Sequence, residues 1–548
     1  MERRLLLAIS LMIVVAVLPS LFIRPAARRS GVQRGAAAPA AAVAARAESL
    51  AAPPPSPGPS ARAALEAEPA VGPVTGDTAS LGSAQSAYLF SSRGAVIERA
   101  ELSAFRSFRE SGPVSLVRRG DRLLGYRVVV GVDTVRLDSV PFSLTHSGES
   151  VSFSGARGPV RLEVSYTRKA GRDYEIEVSG VLGGLEGRGG LLLVGMGTGL
   201  ANVEADSASN YRKYGVVGRR LTPQERTFQG VAAGDTASLD GPFDWVAVKS
   251  KYFIAALLSS DSSRREFGGA VLTGLPRSGR TATHVQTWVT RAVGVDGRFQ
   301  FSLYLGPQEY RQLRALGRGL DKASPYGWIF KPIVMPVAVW ITQLLLWMNR
   351  FLHLGYGLVL ILFGILVRIL LWPLNQKAMM SSVAMQAVQP LVKDIQARFK
   401  DDPQRMQQEM MKLYKDHKVN PLGGCLPMLL PFPILLALFF VFDTTIAFRG
   451  VPFLWLPDLS LRDPYYIIPV VMGASMWAIS KLGQVGMPPN PQAKMMTTIM
   501  PVMMTVLFLN FASGLNLYYA VSNLVSLPQQ YLINKARMRE MERRKART

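Results

Sequence analysis

Arg368 is the residue whose chemistry most needs an account. It stands inside an apolar run, Leu358-Val-Leu-Ile-Leu-Phe-Gly-Ile-Leu-Val-Arg-Ile-Leu-Leu-Trp372. A guanidinium near the centre of a bilayer-spanning helix costs roughly 2.5–3.5 kcal/mol on insertion scales. A residue kept at that cost faces a protein interior or a wet cavity; the other reading is that it snorkels to the interface beside Trp372 and Pro373. If it faces inward, the last apolar segment supplies polar neighbours in Tyr518, Tyr519, Ser522 and Asn523. The apolar segments offer no acid to pair with it. An unneutralised charge in a water-containing groove lowers the cost of moving short polar segments part-way through a bilayer. It also attracts acidic residues in a passing chain.

Other chemistry has little support. The four histidines (His146, His284, His353, His417) are scattered, and Cys425 is the single cysteine. No metal-ligand cluster follows from that spacing, and no disulfide. There is no Gly-x-Ser-x-Gly elbow, no Walker loop and no carboxylate pair within the apolar segments. Gly195-Met-Gly-Thr-Gly199 lacks the Lys-Ser/Thr of a nucleotide loop and reads as a strand-end turn. An ATP-driven pump and a hydrolase are therefore disfavoured, and the chain reads as a non-enzyme without cofactor or metal.

The elements that position Arg368 follow from the distribution of apolar residues. Hydrophobic residues make up 49% of the 548, clustered at the N-terminus and after about Lys331. The net charge of +24 reflects either a bias toward Arg or attraction to anionic lipid and ribosomal RNA. Residues 1–24 hold Leu5–Ile23, an uncharged run that reads as a retained membrane anchor rather than a cleaved signal peptide. Residues 25–85 are rich in Ala and Pro and form a disordered tether.

Residues 86–307 change to period-two alternation between glycines, as in Tyr126–Val132, Val160–Tyr166 and Tyr174–Val178. That pattern predicts an all-β sandwich. Residues 308–354 read as connecting and interfacial amphipathic helices, with Thr342, Gln343, Asn349, Arg350 and His353 on one polar face and Trp340 and Trp347 at headgroup level. Two adjacent apolar stretches then require only one crossing. The basic segment after Trp372 belongs on the cytoplasmic side, so Pro332–Leu354 lies on the membrane and Tyr356–Trp372 spans it.

Residues 355–534 form a five-span core, a polytopic α-helical bundle. Within it, residues 374–424 read as a helical hairpin kinked at Pro390 and broken at Asp401-Asp402-Pro403. Its methionines, Met385, Met406, Met410 and Met411, offer an adaptable apolar surface. Met495–Asn534 carries no formal charge and is too long for one crossing, so it folds as two spans with a turn at Asn510–Asn516. Residues 535–548 are a basic tail with Lys535, Arg537, Arg539, Arg543, Arg544 and Lys545. Six spans put both termini in the cytoplasm.

Several local runs resemble the YidC family of membrane protein insertases, in its Gram-negative form with a large periplasmic domain. The matching stretches are Gly306-Pro-Gln-Glu-Tyr310, Val367-Arg368 with Pro373-Leu374, and Ser382-Val-Ala-Met-Gln-Ala-Val-Gln-Pro390. Asn420-Pro-Leu-Gly-Gly-Cys-Leu-Pro427, Asp458-Leu-Ser-Leu-Arg-Asp-Pro-Tyr465 and Gly514-Leu-Asn-Leu-Tyr-Tyr519 also match, with Trp245 and Lys251-Tyr-Phe253 in the middle region. The resemblance implies a periplasmic β-supersandwich and a five-span core in the inner membrane. It implies a groove around Arg368 that inserts nascent membrane proteins, alone or with the Sec translocon, in a protein that is monomeric when active. It further implies a cytoplasmic hairpin that receives substrate, and a tail and loops that approach the ribosome and anionic lipids. Gly364 and Pro431 stand where relatives often carry Thr and Gln, which makes the expected groove less polar and leaves more of its polarity to Arg368. The competing functions are a transporter or channel with a periplasmic sensor domain, and a sugar-binding β domain that the membrane part merely anchors.

Overall fold

The computed structural model describes residues 76–185, 187, 189–220, 222–261, 265–275, 284–323, 331–376, 388–417, 419, 432–485 and 491–545. The expected anchor, most of the tether, Met385 and Pro431 lie outside the described residues. The chain divides into two compact units, at Ala323 and Ser324.

The first unit is a β-sandwich. Alternation makes its strands: in β9 (Val160–Arg168), Val160, Leu162, Val164 and Tyr166 point inward while their neighbours face out. The run at Tyr126 becomes β5 (Gly125–Val130) and the run at Tyr174 becomes β10 (Glu175–Gly183). A nine-stranded antiparallel sheet carries β9, β10 and β19 (Arg298–Pro307) at its centre. A six-stranded sheet carries β5, β11 (Gly190–Gly195) and β18 (Val285–Val293). The two sheets meet where the buried hydroxyls of Tyr126 and Tyr166 bond at 2.9 Å, with Tyr126 also against Phe299. A four-stranded sheet completes the unit.

The strands begin earlier than residue 86. Thr78–Gly82 forms β1, with Ala79 and Leu81 buried, and pairs antiparallel with Ser86–Ser91. The unit also extends past 307 because its exit segment is tied down. The Gln308 amide donates to the carbonyls of Ser250 (2.8 Å) and Phe253 (3.1 Å). The Trp245 indole donates to Arg318 O at 3.0 Å, and Lys249 Nζ to Ala323 O at 3.2 Å. Thus Trp245, Lys251-Tyr-Phe253 and Gly306-Pro-Gln-Glu-Tyr310, far apart in sequence, belong to one clamp. Gly195–Gly199 is a strand-end turn, held by Asp121, which accepts from Thr198 N and Oγ1, both at 2.6 Å.

The second unit is helical. Helix α1 (Ser207–Tyr211) and α2 (Tyr310–Ala315) belong to the first unit; α3 (Lys331–Leu352) and α4 (Tyr356–Leu370) open the second. A bend of 117° separates α3 from α4. No single described helix is both long and apolar enough to cross a membrane, and α3 and α4 meet both conditions only together, as this bent pair.

In α3 the buried stripe is Val334, Ala338, Ile341, Leu345 and Met348. The outward face differs from the expected one. Thr342 turns back to donate to Ala338 O at 2.8 Å, and Asn349 donates to Leu354 O at 2.7 Å, so both are satisfied locally. Gln343, Arg350 and His353 of the expected polar face are exposed, and Trp340 and Trp347 are exposed as well. In α4 an apolar stripe, Leu358, Leu362, Leu366 and Ile369, is exposed opposite the packed face of Val359, Leu360, Phe363 and Val367.

The hairpin forms as α5 (Gln389–Arg398) and α6 (Pro403–Asp416), broken where expected, with the Asp402 side chain accepting from Arg405 N at 3.0 Å. Pro390 sits in the first turn of α5, where its missing N–H leaves no bond of that helix unmade. Then follow α7 (Phe432–Thr444), α8 (Ile467–Gly483), α9 (Pro491–Phe508) and α10 (Ser513–Lys545). Asp443 lies in the last turn of α7. The basic tail is no separate element up to Lys545: it continues α10.

Candidate functional site

The site is a polar seam between α4 and α10. Close approach is possible because Gly364 has no side chain: a Cβ there lies 3.3 Å from Val521 Cγ1 and 3.6 Å from Tyr518 Cδ2. One turn on, the Arg368 guanidinium comes near enough to Tyr518 and Tyr519 to interact electrostatically with both. Two further turns on, Asn375 donates to Gln529 Oε1 at 3.3 Å. The contacts advance in the same direction along both helices, so α4 and α10 run parallel.

Packing fixes the aromatic wall. Tyr518 lies against Phe363 with centroids 5.6 Å apart, and Tyr519 against Phe508 at 5.7 Å. Ser522 lies one turn beyond Tyr518, within side-chain hydrogen-bonding reach of its hydroxyl. Arg368 Nε is buried with no hydrogen-bond partner, and among the described residues no carboxylate forms an ion pair with the guanidinium. An unpaired guanidinium beside phenol hydroxyls attracts water and carboxylates.

Of the residues named from sequence, Arg368, Gly364, Tyr518, Tyr519 and Ser522 are brought together. Asn523 lies on the same helix with its Nδ2 buried and unpartnered. Sequence reading missed the continuation of the seam. Ser526 donates to Ser522 O at 2.5 Å, and Gln529 and Gln530 follow, with Gln530 donating to Asn534 Oδ1 at 3.3 Å. Asn534 in turn donates to Leu482 O at the end of α8. The signal was the three- and four-residue recurrence of polar side chains to Asn534, and Asn375 seven residues after Arg368.

At the opposite end the loop between α7 and α8 is lashed to α10. Ser513 N donates to Leu461 O at 2.6 Å and Gly514 N to Leu459 O at 2.9 Å. Asp458 Oδ1 accepts from Ser460 N and Oγ, both at 2.7 Å. In the hairpin, Met406 and Met410 are half-buried and Met411 is 47% exposed. Lys535 and Arg539 are exposed on α10; Arg537, Arg543, Arg544 and Lys545 fall within that helix.

Fold and seam define a helical-bundle protein with an unpaired charge between two parallel helices and a β-sandwich accessory unit. Residues 347–541 match the family model of the 60Kd inner membrane protein, and residues 202–348 match that of the YidC periplasmic domain. The "Membrane protein insertase YidC" of Haemophilus influenzae is 34% identical over 405 residues, which is 72% of this chain and 70% of that protein. Proteins of the same name from Syntrophus aciditrophicus (40% identical) and Chlorobium phaeovibrioides (36%) align with 54% of this chain. The chain spans about half the length of these two relatives, 53% and 52%. The chain belongs to the YidC family. Among solved structures, an active YidC insertase crystal structure covers 84% of this chain and is itself covered to 93%, at 17% identity and a TM-score of 0.34.

Proposed function

We propose that the chain is a membrane protein insertase that moves nascent membrane proteins into the bacterial inner membrane through the seam around Arg368. The observation that carries this reading is a half-buried guanidinium, its Nε buried without a hydrogen-bond partner, on a helix whose opposite face is apolar and exposed. A charge held without an acid keeps water around it, and a wet seam open to lipid shortens the hydrocarbon a polar segment must cross. No bond is made or broken, so the chain acts without catalysis, nucleotide or metal.

In this reading the sandwich is periplasmic, α3 lies in the interface with Trp340 and Trp347 at headgroup level, and both termini are cytoplasmic. The parallel course of α4 and α10 supports that topology, since the first and last core spans then cross in the same sense. The hairpin, through Met406, Met410 and Met411, receives substrate. The basic end of α10, from Lys535 onward, approaches the ribosome and anionic lipid. The protein works as a monomer, alone or beside the Sec translocon.

A transporter or channel is the second reading. Ion-coupled transport usually rests on an intramembrane acid, and Arg368 faces none among the described residues. The deciding experiment reconstitutes the full chain in nucleotide-free liposomes with a small single-span substrate. Wild type inserts it and Arg368→Ala inserts less. Absence of insertion by wild type, or equal insertion by the variant across several substrates, overturns the proposal.

A further inference from the structure

Three side-chain donors on α4 and α10 are buried without a hydrogen-bond partner among the described residues: Arg368 Nε, Asn523 Nδ2 and Gln529 Nε2. Gln529 is only 2% exposed. Its oxygen accepts from Asn375 Nδ2 at 3.3 Å, and its Nε2 is left without a partner. Ser526, on the same side of α10, spends its hydroxyl on Ser522 O. The one open acceptor on these helices among the described residues, Asn516 Oδ1, lies in the first turn of α10, where its amide donates to Phe508 O; from Arg368 to Gln529 the seam leaves donors open. A buried N–H without an acceptor costs about 1–3 kcal/mol, and a hydrocarbon surround supplies no acceptor.

The open donors differ in what they suit. Arg368 is charged and suits a carboxylate. Gln529 is neutral and suits a neutral acceptor, of which a polypeptide carries one per residue in its main-chain carbonyl. Tyr519, beside Arg368, and Gln529 lie ten residues apart on α10, about 15 Å along its axis. An extended chain covers that distance in about five residues. A single passing segment can thus meet both donors at once.

Building on the insertase reading, we infer that Gln529, held in place by Asn375, is a second and uncharged station of the seam that binds main-chain carbonyl oxygens of the passing polypeptide. Arg368 discriminates by charge. Gln529 does not read side chains, so segments with neutral flanks depend on it as fully as acidic ones do.

The test uses the full chain in liposomes and two single-span substrates that differ only in the translocated flank, one acidic and one of Ser and Gly. Gln529→Leu and Gln529→Glu each lower the inserted yield about fivefold for both flanks, the size of one lost neutral hydrogen bond. Gln529→Glu keeps the shape of the side chain and exchanges its N–H donor for a carboxylate oxygen; because it also adds a charge, it is read together with the uncharged Gln529→Leu, and loss in both with the neutral flank is the result that marks a lost donor. Gln529→His, which retains an N–H donor, recovers most of the loss. A second measurement places a cysteine at 529 in a Cys425→Ser background and joins it to the substrate flank, with a cysteine at Ser522 as the reference position. Wild-type yield of the neutral-flank substrate with Gln529→Glu, or crosslinking from 522 but not from 529, overturns the inference. Failure of wild type to insert either substrate counts instead against the insertase reading itself.

Discussion

The carboxylate of Asp463 accepts the indole N–H of Trp455 at 3.2 Å, deep in the loop between α7 and α8. Asp463 is wholly buried. It also accepts from Tyr465 N at 3.0 Å and, through its other oxygen, from Ile468 N at 2.8 Å. One side chain thus ties the loop to the first turn of α8, where a negative charge also suits the helix dipole.

Removing it leaves three donors facing a void. Asp463→Ala is expected to destabilise the helical unit by about 3 kcal/mol, in the range for a buried group bonded by several partners. Thermal unfolding of the full chain in detergent measures this, and an unchanged midpoint contradicts it. Asp463→Asn keeps one acceptor but turns an amide N–H toward one of the three donors, so it falls between Ala and wild type.

Gly364 sets how near α10 can come. A methyl group there is 3.3 Å from Val521 Cγ1, which a shift of a few tenths of an ångström relieves. Gly364→Ala should therefore stay close to wild type in insertion and stability. Gly364→Leu must spread the helices at the turn before Arg368, at a cost of about 1–3 kcal/mol for overpacking. Insertion should fall with it. Equal activity of the two variants argues that the crossing is looser than these distances.

The sandwich unit has its own pH dependence. Burial alone raises the carboxyl of Glu175, but hydrogen bonds and charge from Lys169 and Arg172 outweigh it and hold it below its usual value near 4.5. The bonds are 2.9 Å to Lys169 and 2.7 Å to Arg172. The unfolded chain then takes up this proton first. Stability from Glu175 is present above pH 4.5 and is lost as pH falls through the lowered folded value. Glu175→Gln should flatten the acid limb of a stability profile recorded by circular dichroism between about pH 6 and 3. A limb as steep as wild type assigns the acid sensitivity elsewhere.

Legibility followed the range of the interactions. β9 was plain because the alternation of Val160, Leu162, Val164 and Tyr166 is written within one strand. The hairpin break was plain because Asp402 and Pro403 cap and start a helix by local chemistry. β1 was hidden: five residues beside an Ala- and Pro-rich stretch become a strand only through pairing with Ser86–Ser91. Thr342 and Asn349 misled because a polar side chain on a helix can spend its hydrogen bond on a nearby carbonyl instead of on solvent. Arg368 was conspicuous as a charge. Gln529 was not, because a neutral amide acquires its role only from the helix that packs on it.

The parallel course of α4 and α10 is itself open to measurement. Gly364 meets Tyr518, and eleven residues farther along each stretch of chain Asn375, just past the end of α4, meets Gln529 on α10. Cys425 is the single cysteine, so a Cys425→Ser background is silent to thiol reagents. Cysteines placed at Asn375 and Gln529 should be joined by a short bis-maleimide in the membrane-embedded protein. A pair at Asn375 and Tyr518 should not, because about 16 Å of helix rise separates residue 518 from residue 529. If the second pair joins as readily as the first, the two helices slide or run antiparallel. The seam described here then does not persist in the bilayer.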